Sequence, residues 1–447
     1  MKKNLTFKET IFVASMLFGM FFGAGNLIFP ASMGQMAGNQ MWQAVAGFLI
    51  TGVGLPLLGV VALGVSRKNG LLEVGRHYGI FFTSMLYLTI GPSFAIPRCA
   101  TVAFSVGLEQ MIPKENYTMA LAVFSLLFFA AVLFFSLRPG EILVWIGKVL
   151  NPLFLCFLAI LVVRALISPM GEVQMMEAEG AYASGAFFTG VLEGYNTMDA
   201  LASLAFGIIV VNVIRGLGVE EPEHTAKNTV KAGIFSSLLM AAIYLLVTLV
   251  GAQSRAVIGV SENGGVALAG IAEHYFGAAG ALILAATVTL ACLKTAVGLI
   301  TSCGETFEEM VPKGPSYKVW AMGFCVISFV IANLGLNSII AYSVPVLMFL
   351  YPLAITLILL TIFGKCFGND AVMYRWVTGF TAVASVVDFV NALPEAAQKF
   401  LHLGTFVETA KSILPFADLG FGWVCPALLG LVIGTVHVMI RKKEVRG

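Results

Sequence analysis

Long apolar stretches recur along the whole chain, and short polar segments separate them. A membrane-spanning helix needs roughly 20 predominantly apolar residues. Twelve windows of about that size can be drawn, at 9–33, 41–66, 80–111, 117–137, 141–167, 185–215, 228–252, 277–308, 318–333, 337–364, 371–394 and 419–440. No polar linker divides them, so the pattern predicts a single all-α polytopic membrane domain over residues 1–447. The segment between Pro394 and Asp418 has room for a surface helix.

The composition narrows the class of protein. Hydrophobic residues make up 59% of the chain and charged residues 11%, whereas a soluble domain carries about a quarter charged residues. A net charge near +2 provides no concentrated basic face for nucleic acid. The seven cysteines are scattered without metal-ligand spacing, so we expect no cofactor. The apolar run after Met1-Lys2-Lys3 lacks a small-x-small cleavage site, which indicates an uncleaved first span.

Lysine and arginine are distributed unevenly between the loops. If the N-terminus is cytoplasmic, 19 of the 26 basic residues lie on the inner side and five on the outer side. Arg98 and Lys294 fall inside the membrane. This asymmetry predicts a multi-pass protein of the bacterial inner membrane, surrounded by lipid, with both termini in the cytoplasm and an even number of spans.

Two windows contain residues that interrupt a helix. Each glycine weakens a helix by about 1 kcal/mol, and a lone glycine pair is usually a surface for close helix packing. Here a second interruption lies at the equivalent place in the next half. Such a pair is typical of an inverted repeat of five plus five helices, over about 9–364, with broken first and sixth helices. Two accessory helices follow at about 371–440. The breaks are centred on Gly23, Ala24, Gly25 and Asn26, and on Leu192, Glu193, Gly194 and Tyr195.

Broken helices expose backbone groups at the middle of the membrane. The free N–H groups after the first break suit a carboxylate, and the free carbonyls before the sixth break suit an ammonium. The eight residues at the breaks therefore predict a binding site for a small zwitterion. They carry no nucleophile, phosphate loop or metal box, so an enzyme is not expected. A channel would need a ring of filter groups, and no repeated ring is visible.

Several ionisable residues lie inside the predicted spans. Arg98 and Glu193 fall at similar depth, which leaves open a structural ion pair, a contact with substrate or a proton relay. Asp199 lies deeper, near the depth of Lys294, and we expect these two to interact. Asp388 lies outside the repeat, where packing or an oligomer contact is the favoured interpretation. The sequence does not indicate an oligomeric state.

Six blocks of this sequence resemble the branched-chain amino acid:cation symporter family. The resemblance covers nearly the whole chain in order. It implies a twelve-helix carrier of the amino acid–polyamine–organocation superfamily that imports leucine, isoleucine and valine with Na⁺ or H⁺. The blocks are Phe18–Pro30, Gly52–Gly59, Gly91–Arg98, Glu193–Gly207, Ala291–Leu299 and Ser343–Leu347.

The chain departs from the pattern of sodium-coupled carriers of this fold in the eighth helix. There the resemblance implies Ala-x-x-[Ser/Thr]-[Ser/Thr], whose oxygens complete a Na⁺ shell with the break at Gly23. The matching residues are Ala291, Lys294 and Thr295, so an ammonium falls where one hydroxyl would be. A charge that deep costs at least about 2.5–3.5 kcal/mol, although a lysine can also snorkel to the interface. We expect the Lys294 ammonium to replace Na⁺, with Asp199 nearby, and transport to be driven by protons or facilitative.

Selection among amino acids requires contacts with the side chain, because all of them share the charged ends. We expect an apolar pocket beside the breaks, lined by Ile90 and Ser93 on the third helix, Phe206 on the sixth and residues near Leu293 on the eighth. The alternatives are a Na⁺-coupled carrier for another small neutral zwitterion and, less favoured, a channel.

Overall fold

The computed structural model describes residues 2–23, 25–65, 76–138 and 141–444. These residues are almost all helical, and no strand occurs among them. Each predicted window coincides with a helix or a broken helix. The helices are α1 (Phe7–Phe21), α2 (Gly25–Ala37), α3 (Met41–Leu49), α4 (Leu55–Val65), α5 (Arg76–Leu88), α6 (Ala95–Gly107), α7 (Tyr117–Leu137), α8 (Glu141–Ile167), α9 (Ala181–Glu193), α10 (Asp199–Gly216), α11 (Pro222–Ile258), α12 (Gly264–Met310), α13 (Tyr317–Ala332), α14 (Leu336–Ile362), α15 (Ala371–Asn391), α16 (Glu395–Phe400), α17 (Gly404–Ile413) and α18 (Val424–Glu444).

The first and sixth spans are broken, as the sequence predicted. The first consists of α1 and α2, and Phe22 between them is extended (φ −74°, ψ 96°). Ala24 lies outside the described residues. In the sixth span, a 3-10 turn over Gly194–Thr197 and a left-handed Met198 (φ 62°) separate α9 from α10.

The third span is also broken, which was not predicted. A π-type turn over Thr89–Ser93 joins α5 to α6, and Gly91 has non-helical angles (φ −102°, ψ −127°). Pro92 explains the break, because proline has no N–H to donate and excludes helical geometry from the residue before it. The signal was the Gly-Pro pair inside an otherwise apolar window.

The helix packing has the symmetry of an inverted repeat. α2 packs on α11, and its counterpart α10 packs on α4; α1 packs on α11, and its counterpart α9 packs on α3. Glycines allow the backbones to approach. A Cβ at Gly34 would collide with the Thr248 carbonyl, and one at Gly190 would collide with the Ala44 carbonyl. Small residues at such contacts are typical of membrane helix pairs.

The remaining elements surround this core. α12 turns at Gly277 (φ 63°), so a separate helical segment precedes the eighth span, which begins where the window at 277–308 was predicted. The accessory helices α15 and α18 pack together, and α16 and α17 occupy the predicted room for a surface helix. Asp388 is buried against Gly422 within this accessory unit, so it is an internal packing position.

Candidate functional site

A cavity of about 70 Å³ lies between the breaks of the first, third and sixth spans. The eighth span closes its remaining side. Its walls combine apolar side chains with two side chains of opposite charge, and its position at the helix breaks makes it the candidate substrate site. The lining residues are Met20, Phe21, Gly23, Gly25, Asn26, Ile90, Ala95, Arg98, Cys99, Thr197, Met198, Asp199, Ala202, Phe206, Thr295 and Leu299.

Asn26 connects the break in the first span to a carboxylate on the sixth. Its Oδ1 accepts a hydrogen bond from the Gly23 N–H (2.9 Å), and its Nδ2 donates to Asp199 Oδ2 (2.6 Å). The Tyr244 hydroxyl, on α11, donates to the same Asp199 oxygen (3.1 Å) and contacts the Asn26 amide. Asn26, Asp199 and Tyr244 are all buried. The geometry of the first break therefore depends on an acceptor that belongs to the sixth span.

Arg98 reaches the same cavity from α6. Its Nη1 donates to the Asn196 carbonyl (2.6 Å) and its Nη2 to Ser343 Oγ on α14 (3.0 Å). The guanidinium carbon lies 5.0 Å from the centre of the Phe29 ring. Among the described residues no ion pair joins Arg98 to Glu193, which disfavours one of the three alternatives left open for these residues. The guanidinium instead donates to the Asn196 carbonyl, in the 3-10 turn that follows Glu193.

The sixth span meets the cavity later in the chain than the sequence predicted. Leu192 packs against Gly420, Gly194 abuts Thr51, and the Tyr195 ring stacks on Tyr351 (4.0 Å between centres). Neither these residues nor Glu193 lines the cavity.

The cavity wall from this span begins two residues after Tyr195, at Thr197. The left-handed Met198 redirects the chain there, so that Thr197, Met198 and Asp199 face the break in the first span. Sequence analysis missed Thr197 and Met198. Asp199 was the available signal, because a carboxylate deep in a span seldom lies on a lipid-facing surface.

On the eighth span the residue at the break is Thr295 rather than Lys294. A Cβ at Gly23 would lie 3.7 Å from Thr295 Cγ2, and the Thr295 hydroxyl bonds to the Ala291 carbonyl (3.1 Å). Lys294 does not line the cavity, and no ion pair joins it to Asp199 within the described part of the chain. The expected interaction of Lys294 with Asp199 is therefore wrong, and Lys294 does not reach the cavity. That its ammonium replaces Na⁺ in the transport cycle stays a prediction. Consecutive residues of an α-helix point in directions roughly 100° apart. A shift of one position therefore determines whether Lys294 or Thr295 lies at the first break.

The apolar part of the cavity agrees in part with the predicted pocket. Ile90 and Phe206 line it, and the Phe206 ring meets the edge of Tyr87 (6.4 Å between centres). Ser93 and Leu293 do not line it. Leu299 and Ala202 take part instead, each one or two helical turns from a predicted position.

The fold matches solved membrane transporters along nearly its whole length. The inward-facing conformation of Mhp1 aligns with a TM-score of 0.64 at 14% identity, over 97% of this chain and 91% of that one. MhsT in complex with L-phenylalanine aligns with a TM-score of 0.55 at 13% identity, over 98% and 99%. These likenesses establish a helical membrane transporter fold with broken spans.

Sequence comparison then identifies the family. Residues 6–441 match the family described as branched-chain amino acid transport protein. The chain is 50% identical to the branched-chain amino acid permease BrnQ of Lactobacillus delbrueckii subsp. lactis, over 99% of this chain and 100% of that protein. It is 39% identical to the permease BraB of Bacillus subtilis (strain 168), over 98% and 97%. The chain therefore belongs to the branched-chain amino acid transport protein family, whose members are transporters rather than enzymes.

Proposed function

We propose that this protein imports leucine, isoleucine and valine across the bacterial inner membrane, by symport with a proton that binds Asp199. The names of its relatives support the substrate class. The excess of basic residues on one side of the predicted spans supports cytoplasmic termini. Ile90, Phe206 and Leu299 supply apolar contacts for a branched side chain.

One observation carries the choice of Asp199. It is the one carboxylate among the described residues that line the cavity, and its side chain is buried. Its hydrogen-bond partners, Asn26 and Tyr244, are neutral donors. A buried carboxylate without a cation is costly, because neutral donors offset only part of its lost hydration. Binding a cation removes that cost, and a proton needs no further ligands.

Protonation of Asp199 also connects the ion to the conformation of the first span. An ionised carboxylate accepts hydrogen bonds at both oxygens, whereas a protonated one has an O–H that must donate. Asn26 Nδ2 and the Tyr244 hydroxyl both donate to Oδ2. A proton on that oxygen leaves room for only one of these donors. Where the Asn26 amide is the one that turns away, the change reaches the first break, because Asn26 also holds the Gly23 N–H.

Two competing assignments use the same cavity. Asp199 is also a suitable partner for the substrate's ammonium. Alternatively, Na⁺ can bind between the first break and the eighth span, where Thr295 brings a hydroxyl next to Gly23. The position of Thr295 supports this Na⁺ site, because the eighth-span side chain next to Gly23 is a threonine and not a lysine.

The test is uptake of radiolabelled leucine into proteoliposomes, with the pH gradient and the Na⁺ gradient imposed separately. An inward proton gradient should drive accumulation without Na⁺. Asp199→Asn should abolish accumulation and retain exchange of internal for external leucine, a reaction that also distinguishes a carrier from a channel. Asp388→Asn, which alters a buried carboxylate outside the cavity, is the matched control.

Each competing assignment has its own result. If Asp199→Asn loses both leucine binding and leucine exchange, Asp199 holds the ammonium of the substrate. A requirement for Na⁺ that Thr295→Val removes would place the coupling ion at the eighth span. Either result would contradict proton binding at Asp199.

A further inference from the structure

Arg98 is the one cationic side chain among the described residues that line the cavity, and its exposed fraction is 3%. Two of its nitrogens donate to neutral acceptors, the Asn196 carbonyl and Ser343 Oγ. The third, Nε, has no acceptor in the described part of the chain. Glu193 offsets the charge of Arg98 only from beyond ion-pair distance, and Nε remains an unused donor. Such buried groups are costly unless a ligand supplies the partner.

One backbone donor at the first break is already used, because the Gly23 N–H donates to Asn26 Oδ1. Arg98 adds side-chain donors for an anionic group beside the backbone N–H groups at the start of α2. A guanidinium has five N–H donors in a planar fork that matches a carboxylate, and two hydrogen bonds to the protein leave three of them unused.

We propose that Arg98 binds the α-carboxylate of the substrate and makes the site selective for amino acids over the corresponding amines and amides. This assignment rests on the proposed function, because it needs a zwitterion in the cavity. The carboxylate supplies the missing anion, and the contacts to Asn196 and Ser343 hold the fork in place before substrate arrives. Phe29, on the first span, covers one face of the guanidinium and limits its hydration.

The protein contacts of Arg98 would connect a bound carboxylate to several spans. Arg98 joins α6 to the sixth-span turn at Asn196 and to α14 at Ser343. A carboxylate on this guanidinium is thereby connected to three spans at once. An arginine with a purely structural role would make the same protein contacts, so the experiment must distinguish charge recognition from helix bridging.

The experiment compares binding of L-leucine and L-leucinamide to the purified full-length transporter. The amide keeps the ammonium and the side chain but has no carboxylate. The wild-type protein should prefer leucine. Arg98→Gln should weaken leucine binding roughly 10- to 100-fold, the effect of losing a hydrogen bond to a charged group, and should leave leucinamide binding within about threefold. Arg98→Lys, which keeps the charge without the fork, should retain part of the preference.

Ser125→Ala is the matched control, because it removes a buried serine hydroxyl of α7 that bonds within its own helix and does not line the cavity. It should keep the preference for leucine over leucinamide. Equal weakening of both ligands in Arg98→Gln and Arg98→Lys would show that Arg98 only bridges helices, and would overturn the assignment. A wild-type protein that binds neither leucine nor valine would instead overturn the proposed function on which the assignment depends.

Discussion

Gly25, the first residue of α2, is the position where a side chain most directly obstructs the cavity. A Cβ there would lie 3.2 Å from Phe29 Cε2 and 3.8 Å from the Asn196 carbonyl oxygen. The first distance is shorter than about nine in ten real Cβ contacts, so the Phe29 ring must move by a few tenths of an ångström. That ring also covers the guanidinium of Arg98. One added carbon therefore disturbs both the break and the cation beside it.

The size of the effect follows from this contact. Extra carbons in a packed site cost typically about 1–3 kcal/mol. We expect Gly25→Ala, at the lower end, to weaken leucine binding about fivefold, and Gly25→Leu, which extends into the cavity, to weaken it about 100-fold or more. The stability of the folded protein should change little. Alanine favours a helix over glycine by about 1 kcal/mol, which offsets the local crowding.

The assay is leucine binding to purified variants, with gel filtration and thermal unfolding to verify folding. Gly298→Leu is the matched control, because Gly298 is an exposed glycine of the eighth span and nothing lies within 4 Å of its added Cβ. It should bind leucine like the wild type. Unchanged binding in Gly25→Leu would show that the first break serves only helix packing, and the cavity would then not be the substrate site.

Two further predictions concern specificity and Lys294. Leucine, isoleucine and valine should compete with one another with affinities within one or two orders of magnitude, because one methylene in an apolar pocket discriminates by about 1–3 kcal/mol. Competition by lysine or glutamate as strong as that by isoleucine would refute a pocket made by Ile90, Phe206 and Leu299. Lys294→Met should change leucine affinity by less than about threefold, because the side chain lies outside the cavity and forms no ion pair with any residue that the structure describes. A loss of transport as large as that of Asp199→Asn would contradict the structure's placement of Lys294.

Much of the fold could be predicted because a membrane span is recognisable from its length and its apolar composition. The requirement for about 20 apolar residues placed twelve windows that coincide with helices or broken helices in the described residues, and the glycines at 23, 25 and 194 located two breaks. The break at Gly91 was harder to predict. Prolines within α14 at positions 345 and 352 leave that helix continuous, so proline alone does not reveal which helix is interrupted.

The sequence predicted how deep in the membrane the site lies, but not which side chains of each helix point into it. The first break and the positions of Ile90, Phe206 and Asp199 follow from where helices are interrupted and where charges are buried. The residues of the sixth span were misplaced by a few positions, because Met198 takes a left-handed conformation that a non-glycine residue rarely adopts. No pattern in the surrounding apolar sequence indicates that turn, which tertiary contacts must stabilise.

Lys294 shows why direction is difficult to predict inside a membrane. In a soluble helix, polar residues identify the exposed face and so determine where each neighbour points. The eighth span is apolar toward lipid and toward protein alike, so Lys294 and Thr295 are equivalent by pattern although roughly 100° separates their directions. Which of these two side chains lies at the first break determines whether an ammonium or a hydroxyl is available there. With Thr295 there, the charge in the cavity is carried by Asp199 and Arg98, and the choice between a proton and Na⁺ depends on groups that the lysine does not reach.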